Sequence, residues 1–140
     1  MQEVETAQLA SELRTVLGQL MRRLRAENRL PIGQASVIAR LDRDGPSWVS
    51  DLAAAERVRP QSMAQTVGEL EAQGIVRRRP DPLDGRRMRV ELTVEGAAVL
   101  EADRRLREGW LARAISHDLP VADQRVLHEA TAVLRRLAEL

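Results

Sequence analysis

One stretch of the chain breaks the rhythm of the rest. Arg87-Met88-Arg89-Val90-Glu91-Leu92 alternates charged and apolar residues with period two, the pattern of a strand with one covered face. Met88, Val90 and Leu92 face one way, and Arg87, Arg89 and Glu91 face the other. Ile75-Val76 begins a partner strand, and Pro80-Asp81-Pro82-Leu83-Asp84-Gly85 is turn material. Residues 75–92 therefore predict one β-hairpin with a loop of about six to ten residues. Elsewhere the apolar residues recur three and four apart, so the expected fold is mostly α with a small β-wing.

The helical stripes are explicit. Leu9, Leu13, Leu17, Leu20 and Leu24 mark a first helix over 4–29, closed by Pro31. A short helix over 33–43 turns Val37, Ile38 and Leu41 inward, and Asp44-Gly45-Pro46-Ser47 is a turn. Trp48-Val49 is a brief apolar pair before an Ala-rich helix over 50–57, for which Ser50 is the expected cap. After a turn at Val58-Arg59, Pro60 opens a helix over 60–73 with Met63, Val67 and Leu70 on one face and Gly74 at its end. Thr93 caps a long helix over 94–115, and Asp118-Leu119-Pro120 leads into a last helix over 120–138. Internal repeats and low-complexity tracts are absent.

Composition excludes several kinds of chemistry. The chain has no cysteine, so disulfides, thiolate metal sites and cysteine nucleophiles are ruled out. Every one of its 22 basic residues is arginine, which removes lysine chemistry and the phosphate-binding GxxxxGK loop. The two histidines, His117 and His128, fit no metal spacing, and His128-Glu129 lacks the second histidine of a zinc-protease motif. They read as structural or solvated, and the expectation is no metal and no cofactor. With Trp48 and Trp110 as the only aromatics, a stacked-base RNA surface is not expected, and Trp110 reads as core. No run of about 18 apolar residues could span a bilayer and the acidic start is no secretion signal, so the expected location is cytoplasmic, alongside the nucleoid.

The net charge of +1 conceals an uneven distribution. Residues 57–89 hold eight arginines against four acids, net +4, while the flanking segments are both net acidic. A basic middle points to an anionic partner. Two short helices joined by a tight turn read as a helix-turn-helix, whose second helix enters a DNA major groove. Here that is helix 60–73, whose outward N-terminal positions Gln61, Ser62, Ala64, Gln65 and Thr66 are small or uncharged and suit base edges. Arg77, Arg78, Arg79, Arg86, Arg87 and Arg89 crowd the hairpin that follows, and arginines on a β-loop suit a narrow minor groove. An ordinary amphipathic helix and a charged edge hairpin would explain each feature alone, but six arginines against two aspartates exceed what edge protection needs.

Asp84-x-Arg86-x-x-x-Val90-x-Leu92-Thr93-x-x-Gly96, with Leu52-Ala53 and Val67-x-x-Leu70-Glu71-x-x-Gly74-Ile75-Val76 upstream, resembles the MarR (multiple antibiotic resistance regulator) family of winged helix-turn-helix transcription factors. The order and length of the flanking helices extend the resemblance over essentially the whole chain. It implies base contacts from Gln61, Ser62, Ala64 and Gln65, a wing-tip Arg86 in the minor groove with Arg87 beside it, and an Asp84 that orients arginines by ion pairing. Two positions depart from the family pattern: Arg57 stands where glycine is common and Arg59 where a Ser or Thr cap is common. We read Arg57 and Arg59, with Thr66 and Arg77, as contacts to the DNA backbone.

The terminal helices carry apolar stripes with no sheet of their own to cover. Residues 1–29 and 98–140 are therefore assigned to a homodimer interface that includes Leu9, Leu13, Leu127, Leu134 and Leu137, and residues 30–97 to the DNA-binding lobe of a single domain. The function expected is a sequence-specific regulator of double-stranded DNA, a repressor reading a pseudo-palindromic operator with helix 60–73 and the 77–91 wing. Resemblance implies release by a small-molecule effector, and thiol oxidation is closed to a chain without cysteine. The competing expectation is an interaction module whose basic wing docks an acidic protein. An enzyme is disfavoured, because no nucleophile–base constellation is present.

Overall fold

The computed structural model describes residues 2–140. Helix α1 (Glu3–Arg25) is followed by α2 (Ile32–Asp44), strand β1 (Ser47–Trp48), α3 (Val49–Glu56) and α4 (Pro60–Ala72). Strands β2 (Val76–Pro80) and β3 (Met88–Leu92) form the hairpin, and α5 (Val94–Asp118) and α6 (Val121–Ala138) complete the chain. The sheet is antiparallel in the order β1-β3-β2, with Val90 facing Ser47 on one side and Arg78 on the other.

One hydrophobic core lies between residues 37 and 100. It joins Val37, Ile38 and Leu41 of α2, Leu52 and Ala53 of α3, Met63, Val67 and Leu70 of α4, and Ile75, Val76, Val90 and Leu100. Each large side chain fully removed from water contributes about 1.5–3 kcal/mol, so this cluster fixes α4 and the hairpin to one body. The β3 alternation is only partly expressed: Val90 is buried and Leu92 packs on the core, but Met88 is exposed at the strand end opposite Pro80.

Several boundaries differ from the sequence expectation. Helix α1 stops at Arg25 rather than near residue 29, because Ala26, Glu27 and Asn28 turn their N–H groups to carbonyls three residues back and the Arg29 N–H goes to the Asp103 carboxylate (3.1 Å). Ser50 is not the cap of α3. Trp48, drawn into the sheet opposite Arg89, is the capping residue, with no side-chain cap bond, and Ser50 lies inside the helix. Helix α4 ends at Ala72, with Gln73 as its half-helical last residue. Gly74 takes φ +75, and the next N–H, that of Ile75, bonds back to the Leu70 carbonyl at 3.0 Å, the turn for which glycine is suited. Thr93 does cap α5, accepting the Gly96 N–H at 2.9 Å.

Candidate nucleic-acid interface

Burial of Met63, Val67 and Leu70 turns the opposite side of α4 outward, and Gln61, Ser62, Ala64 and Gln65 are all exposed there. Thr66 is half-buried, and its hydroxyl donates to the Ser62 carbonyl. Gln65 donates its amide to Glu69 (3.4 Å), whose second oxygen accepts from Gln34 (2.9 Å) on α2. Helices α3 and α4 meet through Arg57, the one non-glycine residue with positive φ among the described residues (φ 57, ψ 42). Its N–H closes the end of α3 on the Ala53 and Ala54 carbonyls. Arg59 precedes Pro60 without a side-chain cap bond. Both arginines are exposed and belong to no ion pair among the described residues.

The wing arginines are not equivalent. Arg77 and Arg79 converge on one oxygen of Glu91, at 2.5 and 2.8 Å. Arg78 lies back against α4, with Nη2 3.4 Å from the Ala64 carbonyl. Arg87 stacks its guanidinium 3.8 Å above the centre of the Trp48 ring. Arg86 at the tip is exposed and makes no side-chain bond among the described residues. The ion-pairing role expected of Asp84 is not what the structure shows: its carboxylate accepts the Arg86 backbone N–H (3.1 Å) and enters no ion pair among the described residues. The carboxylate that holds the loop is Asp81, which sequence reasoning missed. It accepts the backbone N–H groups of Leu83 (2.8 Å) and Asp84 (3.3 Å) and the Trp48 indole N–H (2.7 Å). These donors, led by Leu83, hold its carboxyl below the usual carboxylate range although burial pushes the other way. Trp48 and Glu91 were missed as well, and the scarcity of aromatics was the only signal for the first of them; Arg78, expected with the other hairpin arginines, is turned instead against α4.

Away from this face, α1 and α6 contain no buried residue. Leu9 and Leu137 are about half exposed (49% and 52%), Leu127 is 38% exposed, and Leu13 and Leu134 are half-buried. Trp110 is half-buried beneath the Arg23 guanidinium (4.1 Å), and His117 and His128 are exposed. Among the described residues no helix is long and apolar enough to cross a membrane.

A helix-turn-helix whose second helix is exposed along its N-terminal half, followed directly by an arginine-bearing antiparallel hairpin, defines a winged helix-turn-helix DNA-binding protein. The MarR family model matches residues 30–87. A helix-turn-helix-type transcriptional regulator of Mycobacterium bovis is 34% identical over 136 residues, covering 95% of this chain and 94% of that one. Another, from Mycobacterium leprae, is 37% identical over 112 residues, or 78% of each chain. Among solved structures, a transcriptional regulator from Pseudomonas aeruginosa superposes with a TM-score of 0.81 at 38% identity, over 97% of both chains. The chain belongs to the MarR family; it is a DNA-binding transcriptional regulator and not an enzyme.

Proposed function

We propose that two copies of this chain bind a pseudo-palindromic operator and repress transcription, with α4 in the major groove and the wing loop in the adjacent minor groove. The observation that carries this is the exposure of Gln61, Ser62, Ala64 and Gln65 on α4, with Arg57 and Arg59 exposed just before that helix and Arg86 exposed on the loop between β2 and β3, none of the three in an ion pair among the described residues. Uncharged side chains can read base edges, while the cations neutralise phosphates or enter the narrow groove. In this reading Arg57, Arg59, Thr66 and Arg77 contact the backbone, and Asp84, Arg86 and Arg87 shape the wing.

Residues 30–97 form the reading lobe of a single domain, and residues 1–29 and 98–140 the dimer interface. The exposed stripes of α1 and α6 need a cover, and a second copy supplies one by symmetry. Two lobes on a two-fold axis read half-sites about 34 Å apart. A cavity of about 490 Å³ between α1, α2 and α5, with Met21, Leu24, Ile32 and Leu100 among its walls, suits a small effector at the junction of the two parts. Such a ligand releases DNA only by preferring a state in which the two reading helices are wrongly spaced. The place of action is the nucleoid.

The test is selection from random duplexes followed by footprinting. The expected result is a protected palindrome of about 16–20 base pairs and affinity that falls steeply with salt. Light scattering should give twice the mass of one chain. No preferred site at low salt, or a monomer at micromolar concentration, would refute the reading.

A further inference from the structure

Loop 81–87 extends beyond the core, and its tip is bare: Leu83 is 99% exposed and Arg86 is exposed. Both of its ends nevertheless lead to a single side chain. At one end the Asp81 carboxylate is divided between two tasks. One oxygen accepts the indole N–H of Trp48 at 2.7 Å, and the other closes the turn on the N–H groups of Leu83 and Asp84. At the other end the Arg87 guanidinium lies on the face of the same indole, 3.8 Å from its centre. The two ends are also tied to each other, since the Asp81 N–H donates to the Arg87 carbonyl at 2.8 Å. Trp48 itself is paired in the sheet and stands immediately before α3, the first helix of the helix-turn-helix.

We propose that Trp48 is a positioning residue for DNA binding: it latches loop 81–87 to the base of the helix-turn-helix, so that Arg86 meets the minor groove from a loop already ordered. This rests on the reading of the wing as the minor-groove element. Trp48, Asp81 and Arg87 lie outside the hydrophobic core, which is complete without them. A tip that is ordered beforehand loses less conformational freedom when it docks. Arg87 thereby acts through the indole, and Arg86 alone is left at the tip for the groove.

The full-length protein and a duplex selected from random sequence test this. Trp48→Leu should melt close to the wild type, yet bind about tenfold more weakly. It should lose minor-groove protection from hydroxyl radicals while keeping protection of guanines in the major groove. Trp48→Phe, which keeps an aromatic face for Arg87 but no donor for Asp81, should recover part of the loss. Arg87→Gln should weaken the wild type but add little to Trp48→Leu, because both break one latch. Wild-type affinity and minor-groove protection in Trp48→Leu, or additive losses with Arg87→Gln, would overturn the proposal. If Trp48→Leu does not fold, Trp48→Phe and Arg87→Gln carry the same comparison. If the wild type binds no duplex, the operator reading fails, and the latch is judged by NMR on the free protein. Backbone order parameters of residues 82–86 should then fall below about 0.6 in Arg87→Gln from a rigid wild-type value, and unchanged values would refute it.

Discussion

Gly96 is the position where one methyl group should do most harm. A Cβ placed there would lie 2.1 Å from the Ile75 carbonyl oxygen and 2.8 Å from Leu92 Cδ1. The oxygen cannot easily withdraw. It accepts both the backbone N–H and the hydroxyl of Thr93, each at 3.0 Å, and belongs to a residue that is itself buried. Thr93 in turn caps α5 through the Gly96 N–H. Making room in a packed site costs about 1–3 kcal/mol, and the backbone partner places this case at the upper end. Weakening the Thr93 bonds adds about 1 kcal/mol, and the better helix propensity of alanine offsets about the same amount. The net expectation for Gly96→Ala is a loss of about 2–3 kcal/mol, or a melting temperature lower by about 6–12 °C. Circular dichroism melts at one fixed protein concentration measure it, since the proposed dimer would make the midpoint depend on concentration. Gly33→Ala is the control: it lies on an exposed helical position with nothing within 4 Å of the new Cβ, and should be neutral or stabilising by up to about 1 kcal/mol. A Gly96→Ala protein as stable as the wild type would show that the close approach of α5 to the end of α4 does not constrain this fold.

Three further outcomes follow from individual side chains. Arg57→Gly relieves a left-handed backbone that suits glycine, so stability should rise by about 0.5–1 kcal/mol, while operator affinity falls and the salt slope shrinks by about one; a less stable variant in urea titration would contradict the strain argument. Glu91→Gln frees Arg77 and Arg79, which should tighten DNA binding severalfold and steepen its salt dependence in a fluorescence-anisotropy titration, with stability changed by no more than about 1 kcal/mol because these pairs are exposed. Burial alone would raise the Glu56 carboxyl, but hydrogen bonds from the Ser36 hydroxyl (2.7 Å) and the Arg40 guanidinium (2.8 Å) hold it below its ordinary value. That contribution to stability is present above the unfolded value of about 4.3 and is lost as pH falls through the lower folded one. The melting difference between wild type and Glu56→Gln should therefore be widest near neutral pH and close in acid; a difference independent of pH would refute this.

The parts of the fold that were readable in the sequence are those set by neighbours in the chain. Met63, Val67 and Leu70 mark the covered side of α4 by spacing alone, and with it the exposed side that carries Gln61 and Gln65. Gly74 and Thr93 announce the turns on either side of the hairpin, because each supplies a backbone conformation or a cap that its position demands. What was illegible depends on partners far along the chain. A two-residue strand leaves no period, so Trp48 gave no sign of its pairing with Arg89 or of its bond to Asp81. The arginines of the hairpin look alike as letters. Glu91, Trp48 and the Ala64 carbonyl separate them into distinct environments, and only the folded chain brings those groups to them. The early end of α1 has the same origin, in a carboxylate 74 residues away.

The contact that makes Gly96 so demanding also fixes how motion can be transmitted. The first turn of α5 presses on the carbonyl that joins α4 to β2, so the helix cannot tilt at that end without carrying both α4 and the hairpin with it. With 25 residues, α5 is about 37 Å long. Pivoting by about 5° at that end swings the other by about 3 Å. The helix is thus geared as a lever, in which a displacement of about 3 Å at the far tip arrives at the Ile75 contact as a rotation of about 5°.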